Sequence, residues 1–401
     1  MTAQSTQGFA PLQGYTVLDL SQGVAGPYCA ELLGHQGAKV IKVEPPEGDW
    51  ARHVGVAQQG QSTLSTTYNA GKQSLAIDAR HPQGKALVLK LARQADIVVQ
   101  NFRPQAIARL GLDFASLSAL GLQPVYVSIS GYGASGPFAD HPATDSVMQA
   151  DSGLMATNRD AGHTPQRVGF LLADIATGVY AAQACTAALL QKARSGQGVH
   201  VEINLFNVCC ALQSTVFSEQ LLSGQPPRPA VSAPNGVFQT ADGFLTILAL
   251  NNDQFSRICL ALDAPHWEAD PRFASNELRL QHKEALHAEL AALVRPRAMA
   301  ELEATLQRHN ALHARIRTAP DVTAHPQALH LGTFQPLEQP GFGPVYLATH
   351  PWQCHASPAA PAPAIGEHSR DILGALGLDA AAIDALVAEH IVAASPKGPP
   401  A

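Results

Sequence analysis

Residues 16–44 read TVLDLSQGVAGPYCAELLGHQGAKVIKVE, and the punctuation of this stretch decides the fold. Thr16–Leu20 is a short apolar run of strand character. SQGVAGP follows as a loop, and Pro27 suits the first turn of a helix, where its missing N–H has no helical partner to lose. PYCAELLGHQG is that helix, with Gly37 as its stop. Lys39–Glu44 is a second strand. A strand–helix–strand unit of about 30 residues implies a right-handed crossover and parallel strands. The chain is therefore expected to be an α/β protein with a parallel sheet. Glu44 stands about 20 residues beyond the glycine loop, where a dinucleotide fold places its ribose acid. The loop holds only Gly23 and Gly26 and does not match GxGxxG, so nicotinamide binding is a second reading only.

Further along, SLAID and DIVVQ read as strands, and HPQGKALVLKLARQA between them as an amphipathic helix. Arg80, Arg103 and Arg109 all follow predicted strands. In open α/β sheets the ligand crevice lies outside the carboxyl ends of the strands, so these arginines are candidates for an anion site as well as for solvated surface charge. PVYVSIS is a further strand. The glycine-rich GYGASGPFADHPATD after it lacks the GKS/T ending of a P-loop.

Val168–Gln191, VGFLLADIATGVYAAQACTAALLQ, has one charged residue, Asp174. Apolar side chains occur all round the helical wheel, which predicts a buried helix. A carboxylate near the start of a buried helix is costly unless something stabilises it. The helix terminus supplies about 0.3–1 kcal/mol towards that. Asp174 is then either a capped structural group or a carboxylate awaiting an electrophile. Val199–Ile203 is the next strand, and NLFNVCCALQSTVFSEQLLSG the next helix.

Prolines cluster in GQPPRPAVSAP, residues 224–234, as in a linker. NGVFQTADGFLTILAL reads as a hairpin turning at Asp242-Gly243, and a helical region runs from there to about His313. A β-rich stretch to about Thr349, a Pro/Ala spacer at 357–364 and two terminal helices complete the chain. The tail ASPKGPPA is expected to be disordered.

Composition narrows the function. The 401 residues carry a formal charge of −6 with no basic block, which argues against nucleic acid. Hydrophobic residues make up 46% and charged ones 14%, as in a well-buried globular protein, yet no apolar run is long enough for a membrane span. The opening MTAQSTQGFAPLQGY lacks the regions of a signal peptide, and a cytoplasmic location is expected. The six cysteines (Cys29, Cys185, Cys209, Cys210, Cys259, Cys354) form no CxxC pair, so a reducing compartment fits. The 17 histidines are scattered, without HExxH or clustered His/Cys spacing, and no metal site is expected.

Seven pieces, taken together, resemble the family III CoA-transferases, also called the CaiB/BaiF family. They are LDLSQGVAGPYCAELLGHQGAKVIKVEPPEGDWAR, YNAGKQSLAIDAR, DIVVQNFRPQAIARLG, VSISGYGASGPF, GFLLADIATGVYAAQ, FQTADGFLTILALNNDQF and IGEHSRDILGALGL. The resemblance runs from Leu12 to Val392 and rests on their order and spacing. It implies a large Rossmann-like domain (1–223) to which the C-terminal segment (327–401) returns, a smaller α+β domain (224–326), and an interlocked homodimer. It implies Asp174, between Gly169 and Gly178, as the catalytic residue. CoA or acyl-CoA would be a substrate rather than a resident cofactor, with a carboxylic acid as its partner. Its contacts would fall on Val24, Ala25, Ile77, Asp78, Ala79, Arg80, Asn101, Phe102, Arg103, Arg109 and Asp145.

The chain also departs from that pattern. Pro45 replaces a basic residue, and NAGK carries Gly71 where Asn is usual. Ala233-Pro234-Asn235-Gly236 stands where formyl-CoA transferase has a tetraglycine loop, which argues against formyl or oxalate specificity. NALHARI (310–316) replaces a GIPCGPV-like turn. The implied chemistry is attack by Asp174 on a thioester carbonyl. Backbone N–H groups of Asn235-Gly236, taken as flexible, or of Gly133 and Gly136 would serve the oxyanion. Two rivals are an α-methylacyl-CoA racemase and a non-catalytic CoA-binding homologue. The racemase would need a His-Asp pair where this chain has Thr144-Asp145, with His141 three residues off register.

Overall fold

A computed structural model describes residues 9–159, 164–224, 231–352 and 360–395. Parts of the 224–234 linker, the 357–364 spacer, the C-terminal tail, the N-terminal opening and Cys354 lie outside them. The chain divides into two compact units, Met1–Phe217 with His330–Ala401, and Ser218–Leu329.

The first unit is built on a seven-stranded sheet. Six strands are parallel: β1 (Thr16–Asp19), β2 (Lys39–Glu44), β3 (Gln73–Ile77), β4 (Ile97–Gln100), β5 (Val125–Ser130) and β6 (Val199–Asn204). Their spatial order is β3-β2-β1-β4-β5-β6, with Val392–Ala393 added antiparallel beside β3. This is the doubly wound order of dinucleotide folds, with its switch point between β1 and β4. Strands covered on both faces are apolar throughout, which is why Val125, Tyr126 and Val127 are all fully buried.

One face packs Val17, Val40, Val99 and Val127 against the helices Ala25–His35 and Leu172–Ser195. The other packs Leu18, Ile41, Leu75 and Val98 against Pro82–Gln94, Ser369–Ala375 and Ala380–Ala388. Two places require glycine. A Cβ on Gly178 would lie 2.9 Å from the Ala25 carbonyl oxygen and from Tyr28, so the two helices touch there backbone to backbone. A Cβ on Gly26 would lie 2.3 Å from that of Ser21, which holds the loop after β1 tight.

The second unit packs helices on the antiparallel sheet Asn235–Gln239, Phe244–Leu248 and Leu312–Arg315. Its core includes Leu245, Ile247, Phe255, Trp267, Leu286 and Leu302. Arg279 is fully buried there, donating to the carbonyls of Ala233 (2.8 Å) and Phe273 (2.9 Å).

Four expectations need correction. The Asp174 helix is not buried all round: Val179, Tyr180 and Leu190 are exposed, because only one side meets the sheet and the first helix. NLFNVCCALQSTVFSEQLLSG forms two helices, Leu205–Leu212 and Ser214–Ser223, with Gln213 closing the first. Leu312–Arg315 is a third strand, paired along Leu245–Leu248, rather than a turn or a helix end. Asn235-Gly236, taken as flexible, opens a strand opposite Ile247 and Leu248.

Candidate active site

Asp174 is the third residue of the helix Leu172–Ser195. That helix has no side-chain cap from its own N-cap residue, Leu171. The cap comes from elsewhere. Asp145 Oδ1 accepts the backbone N–H of Ala173 at 2.8 Å and of Asp174 at 3.3 Å. Oδ2 of the same carboxylate accepts from Gln149 Nε2 at 2.7 Å. A carboxylate on the first amides of a helix completes their hydrogen bonds and faces the positive end of the macrodipole.

The Asp174 carboxylate itself accepts no hydrogen bond among the described residues. Burial, and secondly the charge of Asp145, push its pKa from 3.8 up to about 7. Tyr68, buried and edge-on to Tyr28 at 5.3 Å, belongs to the same surroundings. Burial, with the charges of Tyr28 and Asp174 behind it, pushes its phenol up to about 12, so it stays neutral. A carboxylate that is partly stripped of water and unpaired is a better nucleophile than a solvated one.

A concavity of about 700 Å³ opens at the carboxyl ends of the parallel strands. Leu20, Val43, Glu44, Ile77, Asp78, Ala79, Arg80 and Phe102 line it, with Ile107, Leu110 and Leu112 from the segment after β4. The structure thus gathers Ile77, Asp78, Ala79, Arg80 and Phe102 in one apolar-floored cleft with a cation at its edge. Arg80 is largely exposed and pairs with Asp78 at 2.9 Å. Arg103 and Arg109 begin and end the helical turn Pro104–Leu110, exposed and outside the cleft lining. Asn101 bridges the switch point: its Oδ1 accepts from Gln22 N at 2.9 Å and its Nδ2 donates to Gln22 O at 2.7 Å. Val24 and Ala25 are buried at the start of the first helix.

Several sequence readings change role. Glu44 is no ribose acid: it is buried, clasped by Arg52 (2.7 and 2.8 Å) and by Ser74 Oγ at 2.6 Å. Thr144 caps its own helix through Val147 N, and Asp145 caps the Asp174 helix, so this pair does not stand free as an acid–base couple. The Gly133 N–H is committed to Ser130 Oγ at 3.0 Å, and Asn235 N to His287 Nε2 at 3.4 Å.

Sequence reasoning missed a buried ionic network beneath the loop after β1. Lys72 Nζ donates to Asp19 Oδ2 (2.8 Å), Asn69 Oδ1 (3.0 Å) and Pro27 O (2.8 Å). Lys42 Nζ reaches Asp49 Oδ2 (2.8 Å) and Ser21 O (3.0 Å), while Asp49 accepts from Gly23 N. The signal was present in KVIKVE: charges inside a fully covered strand must be paired. Cys29, Cys185, Cys209, Cys210 and Cys259 are free thiols. Among the described residues, no helix is long and apolar enough to cross a membrane.

Comparison with known proteins places this chain in a family. The model of CoA-transferase family III matches residues 12–369. Succinate–glutarate CoA-transferase of Agrobacterium fabrum is 33% identical, over 91% of this chain and 96% of that protein. Succinyl-CoA–D-citramalate CoA-transferase of Chloroflexus aurantiacus is 31% identical, over 95% and 98% respectively. The crystal structure of a CaiB/BaiF family protein from Brucella suis superposes with a TM-score of 0.82 at 31% identity, over 92% of this chain and all (100%) of that one.

Proposed function

We propose, from the chain's membership of CoA-transferase family III, that it moves CoA from succinyl-CoA to a second dicarboxylic acid with Asp174 as the covalent carrier. The observation that carries this reading is the unpaired, partly buried Asp174 carboxylate, whose pKa is raised to about 7. The similar proteins from Agrobacterium and Chloroflexus are named for succinate or succinyl-CoA and for glutarate or citramalate, which supports the substrate class.

The chemistry balances without an outside proton or electron. The Asp174 carboxylate attacks the thioester carbonyl, the C–S bond breaks, and CoA leaves as a thiolate. The mixed anhydride so formed is attacked at the aspartyl carbonyl by that thiolate, which frees the donor carboxylate and leaves an aspartyl-CoA thioester. The acceptor carboxylate attacks this thioester and releases CoA again. The thiolate then takes the acceptor's acyl carbon and returns Asp174 as a carboxylate. A carboxylate whose pKa is raised is a stronger nucleophile than an ordinary one, and it is still a weaker base than a thiolate, so it can leave again.

The cleft holding Ile77–Arg80 and Phe102 suits the nucleotide end of CoA. The backbone at Val24 and Ala25, together with Asn101, Arg103 and Arg109, would contact the phosphates, and Asp145 would order the reactive helix. The exposed Val179, Tyr180 and Leu190 on the Asp174 helix support a homodimer that covers them. Sedimentation showing a stable folded monomer at micromolar concentration would contradict that assembly.

The activity test is direct. Incubated with succinyl-CoA and glutarate, the protein should form glutaryl-CoA and succinate in equal amounts, with total thioester conserved. Hydrolysis alone, or no exchange with any dicarboxylate in a panel, would overturn the reading, and the second result would favour a non-catalytic CoA-binding role.

A further inference from the structure

On the first helix, Glu31 and His35 lie one turn apart, and His350 reaches them from 319 residues beyond Glu31. His35 Nε2 and His350 Nε2 both lie against a single oxygen, Glu31 Oε1, at 3.0 and 3.1 Å. One donor atom from each of the three residues falls within 4.8 Å of the others. Glu31 is 5% exposed, and its second oxygen, Oε2, is buried without a hydrogen-bond partner. Trp352 stacks on the His350 ring at 4.9 Å.

We infer that Glu31, His35 and His350 bind one divalent transition-metal ion, with zinc as the best-matched species. Two imidazole nitrogens and one carboxylate oxygen are a common donor set for zinc and its first-row neighbours. Metal–ligand bonds of about 2.0–2.2 Å in a tetrahedral arrangement put donor atoms roughly 3.3 Å apart. The two observed spacings come within a few tenths of an ångström of that. Charge argues the same way. A buried carboxylate needs a compensating cation, and no Lys or Arg among the described residues pairs with Glu31. Two hydrogen bonds on Oε1 alone leave Oε2 orphaned, so one of the two carboxylate oxygens is open to an ion.

The expectation of no metal rested on spacing along the chain, and His350 is too distant in sequence for such a pattern to show. The ion would tie the returning segment after Gly343–Ala348 to the first helix. Three protein ligands leave a fourth position for water, facing a cleft of about 1000 Å³ that Tyr28, Tyr68 and Ile175 also line. The His35 side chain is 26% exposed and gives an ion its way in.

Cobalt(II) provides the probe, and its readout does not depend on any enzymatic activity. Chelator-treated full-length protein titrated with substoichiometric Co²⁺ should develop visible d–d absorption of a four- or five-coordinate site, and Zn²⁺ should displace it. Zn²⁺ should also raise the melting temperature of the wild type. Glu31→Gln and His350→Ala should each lose the cobalt spectrum and weaken zinc binding at least about tenfold. If those buried positions do not tolerate change, His35→Gln at the more exposed ligand decides, with the same loss expected. A wild-type spectrum no different from that of hydrated cobalt would overturn the inference, as would one unchanged in folded variants.

Discussion

The carboxylate of Asp145 sits on the backbone N–H groups of Ala173 and Asp174, at 2.8 and 3.3 Å, and its charge raises the pKa of the Asp174 side chain. One residue thus anchors the start of the helix and tunes the group that helix presents. The two effects are separable. The cap needs an acceptor oxygen, which Asn also has, whereas the electrostatic effect needs a negative charge.

A pH profile follows from that separation. Only ionised Asp174 attacks, so kcat/KM for the acyl-CoA should rise with pH and level off, with a midpoint near the value of about 7 set by burial and Asp145. Asp145→Asn should move the midpoint down, since one of the two causes is removed while burial remains. The fold should lose no more than about 1 kcal/mol. A profile flat from about pH 5 to about pH 9, or an upward shift in Asp145→Asn, would count against this relationship.

Stability should depend on pH through the same group. Folded Asp174 keeps its proton up to about pH 7, whereas an ordinary Asp keeps it only to 3.8. Protonation therefore favours the folded state. That contribution is complete below 3.8 and is lost as pH rises through about 7. Asp174→Asn cannot ionise, so it should be more stable than the wild type at pH 8, by a difference on the order of 4 kcal/mol, and converge with it in acid. Thermal unfolding of both proteins across that range checks the sign. A variant less stable than wild type at pH 8 would show Asp174 to be a structural group.

Gly178 and Gly169 flank Asp174 but meet different surroundings. A Cβ at Gly178 would press on the Ala25 carbonyl and Tyr28 at 2.9 Å, whereas at Gly169 it meets nothing within 4 Å. Gly178→Ala should cost about 1–3 kcal/mol of strain, partly offset by about 1 kcal/mol of helix propensity. It should also lower kcat by displacing the helix that carries Asp174. Gly169→Ala should leave both melting temperature and kcat near wild type. Equal behaviour of the two variants would mean that the contact between the helices is not tight.

How far the sequence reveals this molecule depends on the range of the interaction. The strand–helix–strand unit at 16–44 and the helix around Asp174 are written in local periodicity, and both form. The first unit's sheet is α/β and mostly parallel, with one antiparallel edge that a two-residue strand, Val392–Ala393, is too short to announce. What escaped is non-local. Lys42 with Asp49, Lys72 with Asp19, and Glu44 with Arg52 meet only once the loops have folded over the strand ends. Asp145 could be singled out along the chain, but not its role, because the amides it caps lie 28 and 29 residues further on. The exposed side of the Asp174 helix escaped for another reason: an apolar wheel shows that the whole surface can be covered, not which side this chain covers.

The claim that everything else serves is that Asp174 becomes covalently acylated, and trapping tests it most directly. The protein should be incubated with succinyl-CoA and hydroxylamine, digested, and the peptide spanning Asp174 analysed by mass spectrometry. The account predicts an aspartyl hydroxamate at Asp174 that requires the acyl-CoA and is absent from Asp174→Asn. An unmodified Asp174 in protein that is turning over the acyl-CoA, or a hydroxamate on another residue, would contradict it.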